Sequence, residues 1–280
     1  MNVFSMFDGI SCGQLALQRL GIKVDNYYAC EIKKEAIQVT QDNFPNTIQL
    51  GDVTKVDLTQ LPKIDLVIFG SPCQDLSQAN SVRLGLEGVK SNLFYTALKI
   101  LQELKPKYFF MENVMMTEDN YRIISDLLGV EGVKINSKLV SGALRPRYYW
   151  TNIPNVTQPP DAGITLQSVL TTGYTDRLKA RALLVSDSRP LVTQEKMWHR
   201  YKNIGFTTVV FESPDLDWTK GIRYLNQLEL ERLQTVPEGY TKLLTRNKAA
   251  NVLGDCWTVD VVAHIFKQIV PSYQLSPKQL

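Results

Sequence analysis

Short apolar runs alternate with amphipathic stretches through the first 155 residues, and this alternation constrains the fold more than any other feature of the chain. The apolar runs predict strands at Asn2–Met6, Asn26–Cys30, Thr47–Leu50, Leu66–Phe69, Lys107–Met111, Lys134–Val140 and Tyr148–Asn152. Between them, Gly13–Leu20, Lys34–Asn43, Asn92–Leu104 and Asn120–Leu128 repeat their apolar residues at helical spacing. Strands separated by helices of this length build a mainly parallel sheet covered on both faces. The last two strands, joined by a short loop around Ser141–Arg147, read as an antiparallel pair at one edge.

The pattern changes after Thr157. QPPDAG (Gln158–Gly163) is a turn-rich break, and an irregular stretch with prolines, aromatics and basic residues follows it. Helical periodicity returns at Asn226–Gln234 and Val259–Ile269. The expected division is a catalytic domain of residues 1–156 and 222–280 around a small lobe of residues 157–221. The whole-chain charge of +3 decides little, but Lys138 to Lys202 holds ten Lys and Arg against four Asp and Glu. That excess is either a solvated basic face or a surface for phosphates. No apolar run is long enough to span a membrane, and MNVFSMFDGIS reads as a strand entering a glycine loop rather than a leader. The expected location is the cytoplasm or nucleoid (the nucleus in a eukaryote), not the exterior. Four scattered cysteines argue for free thiols, and two histidines leave little for a His-based metal site or hydrolase triad, so no metal is expected.

In an open α/β sheet, ligands bind at the carboxyl ends of the strands. Phe7-Asp8-Gly9-Ile10-Ser11-Cys12-Gly13 follows the first strand and enters a helix, where glycine permits close backbone approach and the helix start favours an anion. Its glycines are four apart, so it is not a GxGxxG dinucleotide fingerprint, and a purely structural turn is the other reading. Glu31 follows the second strand, twenty-two residues beyond Gly9, at a place where an acid can hold ribose hydroxyls. Gly51-Asp52-Val53 follows the third; one acid there is often a helix cap, whereas two successive ones suggest an adenosine pocket. Gly70-Ser71-Pro72-Cys73 follows the fourth and puts a cysteine beside a proline-stiffened turn. Glu112-Asn113-Val114 follows the fifth, after a run so apolar that Glu112 is either a cap or an acid whose pKa is raised by desolvation. Arg145-Pro146-Arg147 falls between the edge strands, with two guanidiniums spaced to point the same way.

Together these pieces resemble the DNA (cytosine-5) methyltransferase family. FDGISCG is similar to its methionine-binding loop, GSPCQDLS to its nucleophile motif, Glu112-Asn113-Val114 to its ENV motif and Arg145-Pro146-Arg147 to its arginine pair. LGDCWTVDVV (Leu253–Val262) stands where its closing motif returns to the cofactor. The flavour is closest to the mammalian de novo branch, through Pro72–Ser77, Arg83–Leu86, Arg147–Trp150 and the context of Trp257. Ala143 stands where many bacterial members have Gln, and Asp255-Cys256 where they have Asn-Ser.

The resemblance implies a Rossmann-like S-adenosylmethionine-dependent α/β fold with a mixed, mainly parallel sheet, an antiparallel edge pair and an irregular target-recognition lobe. It implies Cys73 as nucleophile on C6 of a flipped cytosine in double-stranded DNA. Glu112 would stabilise the protonated ring, Arg147 hold the base carbonyl and Arg145 support the pocket. S-adenosyl-L-methionine, leaving as S-adenosyl-L-homocysteine, would lie against Phe7, Asp8, Gly9, Ser11, Glu31, Ile32, Asp52, Val53, Pro72, Leu93, Asp255, Cys256 and Trp257. The loop Gln78–Lys90, with Ser81, Arg83, Gly85 and Gly88, would clamp the base, and Arg189–Lys220 would read the groove. A tRNA cytosine methyltransferase and an inactive partner subunit are the competing readings; a dehydrogenase leaves Cys73 and Glu112 without a role. A restriction-modification role and a homodimer stay open.

Overall fold

The computed structural model describes residues 1–71, 91–183, 193–204 and 207–272. The described chain divides into two compact units: residues 1–135, 146–158 and 262–280, and residues 136–145 and 159–261.

The first unit holds β1 (Asn2–Met6), α1 (Cys12–Arg19), β2 (Asn26–Cys30), α2 (Lys34–Asn43), β3 (Ile48–Gln49), β4 (Leu66–Phe69), α3 (Ser91–Leu104), β5 (Tyr108–Val114), α4 (Glu118–Leu128) and β6 (Val133–Asn136). The chain then passes through β7 (Ala143–Leu144) of the second unit and returns as β8 (Pro146–Thr151). One seven-stranded sheet runs in the order β3-β2-β1-β4-β5-β8-β6. β1 through β5 pair in parallel, β8 pairs antiparallel with β5, and the two strands expected as an edge pair, β6 and β8, are neighbours at the sheet edge. The order reverses direction beside β1, which creates a crevice at the strand carboxyl ends.

Burial explains why these strands form. Leu66–Phe69 is fully buried, as a central parallel strand covered on both faces must be. Phe4, Met6, Val67, Phe69, Phe94, Leu98, Met111 and Trp150 join in one core. The helix ends follow ordinary capping chemistry: the Thr117 hydroxyl accepts from Asn120 N–H to open α4, and Gly129, at φ 68°, closes it.

Register does the positioning. Met6 pairs with Cys30 and with Phe69, and Phe69 pairs with Met111, so the four carboxyl ends are level. Phe7, Glu31, Gly70 and Glu112 therefore leave one edge of the sheet side by side. One expectation needs correcting here. Glu112, Asn113 and Val114 do not follow β5 but belong to it, because Tyr149, Tyr148 and Arg147 of β8 extend the pairing past Met111. Arg147 likewise lies within β8, not in the turn before it.

The second unit contains β7, α5 (Leu166–Val169), β9 (Ala180–Arg181), α6 (Gln194–Ile204), β10 (Val209–Phe211), β11 (Ile222–Tyr224), α7 (Gln227–Leu233) and α8 (Arg246–Asp255). The helix α9 (Val259–Phe266) follows. β10 and β11 form an antiparallel pair, with Met197, Tyr201, Phe211 and Tyr224 as its core and Trp198 stacked on Trp218. The break expected at 156/157 lies close to the observed one at 158/159, but residues 222–261 pack into the second unit. There α7 contacts both α5 and α8, and Glu229 of α7 pairs with Arg223 while accepting the Thr171 N–H and hydroxyl.

Candidate active site

In the first unit, the loop after β1 is held in an unusual backbone shape. Phe7, Gly9 and Ser11 have φ of 57°, 61° and 57°, and two of them pay the steric cost of a side chain there. No atom lies within 4 Å of where a Cβ on Gly9 would sit, nor of one on Gly51, so both glycines open space beside the strand ends. Glu31 is pinned by the backbone around it. Its Oε2 accepts from Gly9 N–H at 2.8 Å, and its Oε1 from Ile32 and Lys33 N–H, each at 2.8 Å. Ile32, next in sequence, is 72% exposed, a large apolar side chain held at the mouth of the same edge.

Asp8 is buried directly beneath the loop. Burial pushes its carboxyl up to about 6, against the hydroxyls of Ser11 and Tyr27 that favour the charged form, and the charge of Glu31 adds to the rise. Asp52 accepts from Thr54 N–H at 3.0 Å and from its hydroxyl at 2.8 Å, and the backbone bond leads in holding its carboxyl below the usual range. It thus serves as the cap of the 3-10 turn that contains buried Val53. Leu93, in α3, packs half-buried against the core that includes Val53.

At the neighbouring strand ends, the Glu112 carboxylate lies 3.0 Å from Arg147 Nε, and both side chains are largely buried. The adjacent Asn113 amide donates to Ser71 Oγ at 3.2 Å, and its carbonyl oxygen accepts from Val114 N–H. The carboxyl end of β5 is thereby tied to the residue that leads into Pro72 and Cys73. Pro72, Cys73 and the Gln78–Lys90 loop lie outside the described residues, as does Arg189 of the basic lobe. The other three cysteines are buried: Cys12, Cys30 and Cys256. Burial, with Asp8, Asp52 and Glu31 nearby, pushes the Cys30 thiol up to about 12.

Arg145, Asp255, Cys256 and Trp257 belong to the second unit. The expectation that both arginines point alike toward a ligand is corrected for Arg145. It is 4% exposed, and its guanidinium donates to the carbonyls of Gly254 at 3.1 Å and Cys256 at 2.7 Å. It shapes the end of α8 and the residues that follow, where Asp255 is exposed and Trp257 buried. Cys256 donates its S–H to Leu253 O at 3.3 Å, which fits a packed thiol. Tyr27, Thr40 and the Asn113–Ser71 tie went unnoticed in the sequence. Only the β1–β2 register, which sets Tyr27 beside Val3, places Tyr27 under the loop.

Residues 1–129 match the family described as C-5 cytosine-specific DNA methylase. Over 122 residues, 42% of this chain, the sequence is 34% identical to the type II methyltransferase M.NgoBV of Neisseria gonorrhoeae. Over 116 residues, 41% of the chain, it is 37% identical to the orphan methyltransferase M.Rho11sI of Bacillus phage rho11s. The matched portion spans only 29% and 23% of those two relatives. The fold likeness reaches further than the methylase segment. The Entamoeba histolytica methyltransferase EhMeth aligns with a TM-score of 0.74 at 16% identity, covering 98% of this chain and 99% of that one. Spodoptera frugiperda DNMT2 aligns at 0.64 and 18% identity, covering 96% and 99%. The fold shared with these two proteins therefore extends through nearly the whole chain.

Proposed function

We propose that this protein is a DNA (cytosine-5-)-methyltransferase that uses S-adenosyl-L-methionine and acts on double-stranded DNA. The observation that carries the reading is the Glu112–Arg147 pair at the end of β5, one strand from the β4 end that leads into Pro72-Cys73. The methylase family of residues 1–129 supports the substrate class.

The donor's shape fits the edge of the first unit. The left-handed loop Phe7–Ser11 and the start of α1 would receive its amino-acid end. Glu31, whose carboxylate is fixed by three N–H donors, would take the ribose hydroxyls. Exposed Ile32 would cover one face of the adenine, Asp52 and Val53 would meet its edge, and Leu93 and Pro72 would complete the lining. When bound, the donor supplies an electrophilic methyl group on a sulfonium.

Cytosine C5 is a weak nucleophile and needs activation. The Cys73 thiolate adds to C6 and makes C5 electron-rich. Glu112 hydrogen-bonds N3 and the exocyclic amine, so negative charge does not accumulate on the ring, while Arg147 orients Glu112 and holds the base carbonyl. Arg145 keeps the 254–256 segment in shape. After C5 is methylated, a base such as water removes its proton and the C6–sulfur bond breaks, releasing Cys73. The burial of the other three thiols supports Cys73 as the attacking sulfur. Reaching C6 requires the base to leave the stack, at a cost of a few kcal/mol.

Parallel assays with labelled donor on duplex DNA and on tRNA test the reading. Label in C5 of DNA cytosine from the wild type, and none from Cys73→Ala, is the expected result. Transfer to tRNA alone, or full transfer by Cys73→Ala, contradicts it.

A further inference from the structure

The loop after β1 is shaped from below by a buried polar network that no binding reading by itself requires. The Asp8 carboxylate, 7% exposed, accepts from Tyr27 Oη at 2.7 Å on one oxygen and from the Ser11 hydroxyl on the other. Ser11 Oγ lies 3.2 Å from Thr40 Oγ1, and Thr40 Oγ1 in turn donates to Gly9 O at 3.4 Å. The network therefore spans β2, α2 and both ends of the left-handed stretch. Asp8 N–H also donates to Cys30 O at 3.0 Å, which fixes the residue's backbone while its side chain turns inward.

Two side-chain-bearing residues, Phe7 and Ser11, stay in the left-handed region only while the surroundings over-determine them. Ser11 opens α1 without using its hydroxyl as a cap, because that hydroxyl is spent on Asp8. We infer that Asp8 and Tyr27 are positioning residues for the methyl donor: their buried side chains hold the Phe7–Ser11 loop in its binding shape without touching the ligand, against which the resemblance had placed Asp8. This deepens the methyltransferase reading and rests on it. A loop already in its bound shape avoids an ordering cost at binding. Removing either partner returns that cost to the affinity.

The test is calorimetric titration of the full chain with S-adenosylhomocysteine, for the wild type, Tyr27→Phe and Asp8→Asn, beside a melting curve of each without ligand. Tyr27→Phe deletes one hydroxyl and keeps the ring. It is expected to melt close to the wild type and to bind roughly tenfold more weakly, the scale of one lost hydrogen bond. Asp8→Asn, whose amide cannot accept both hydroxyls as the carboxylate does, is expected to bind more weakly still. In the methyl-transfer assay Tyr27→Phe should raise KM for the donor and leave kcat nearly unchanged. Wild-type binding matched by Tyr27→Phe overturns this inference alone. A wild type that binds no S-adenosylhomocysteine overturns the donor reading and this inference with it.

Discussion

Two carboxyl groups at this sheet edge have different tasks, and each can be tested alone. Glu112 faces the reacting base in the proposed mechanism, so Glu112→Gln keeps the shape but removes the proton-handling group. A fall in kcat of roughly 10²–10⁴ is expected, with S-adenosylhomocysteine affinity within about threefold of wild type; an unchanged kcat would deny Glu112 its role. Asp8 acts through folding energetics as well as through the loop. Its folded-state pKa of about 6, against 3.8 for the free group, means the fold prefers its protonated form. The stability it contributes is present below about pH 3.8 and lost as pH rises through 6, a change of about 3 kcal/mol. Asp25, Asp52, Asp57, Asp215 and Asp217 are shifted down and act in the opposite sense, so the comparison must be with a variant. The stability of Asp8→Asn relative to wild type should therefore rise between pH 4 and pH 7, as read from denaturant midpoints. A flat difference would mean Asp8 is not buried as an acid.

β8 carries Arg147 to Glu112 on one part of its length and seats Trp150 in the core on another. Trp150 is fully buried and donates from Nε1 to Ser125 Oγ at 2.9 Å. A Cβ on Gly132 would lie 2.6 Å from Trp150 Cε2 and 3.0 Å from Tyr121. Gly132→Ala is expected to cost about 1–3 kcal/mol through overpacking and to lower Tm by several degrees; an unchanged melting curve would show that the indole can yield. At this scale much of the first unit was legible in the sequence. Asn2–Met6, Asn26–Cys30, Leu66–Phe69 and Lys34–Asn43 agree with the expected elements residue for residue, because buried parallel strands and an amphipathic helix announce themselves by local pattern. The end of β5 did not, since its last three residues are strand only by virtue of a partner across the sheet. The second unit was least legible. Its strands are two or three residues long, and α6 carries its buried Met197 and Tyr201 within a largely polar sequence. Motif spacing could not reveal that Arg145 turns inward to two carbonyls or that Tyr27 supports Asp8.

Across the whole molecule, the fold likeness covers 98% of the chain, while the methylase family matches residues 1–129. Among the described residues no helix is long and apolar enough to cross a membrane. What remains decisive is which atom bonds to the base. Duplex DNA with 5-fluorocytosine in place of cytosine cannot lose its C5 substituent after methyl transfer, so the sulfur attached to C6 stays attached. Incubation with the donor, followed by denaturing electrophoresis and peptide mass mapping, should give a DNA adduct on the peptide containing Cys73, and none from Cys73→Ala. Active protein that methylates DNA without leaving an adduct, or an adduct on Cys12, Cys30 or Cys256, would contradict the account.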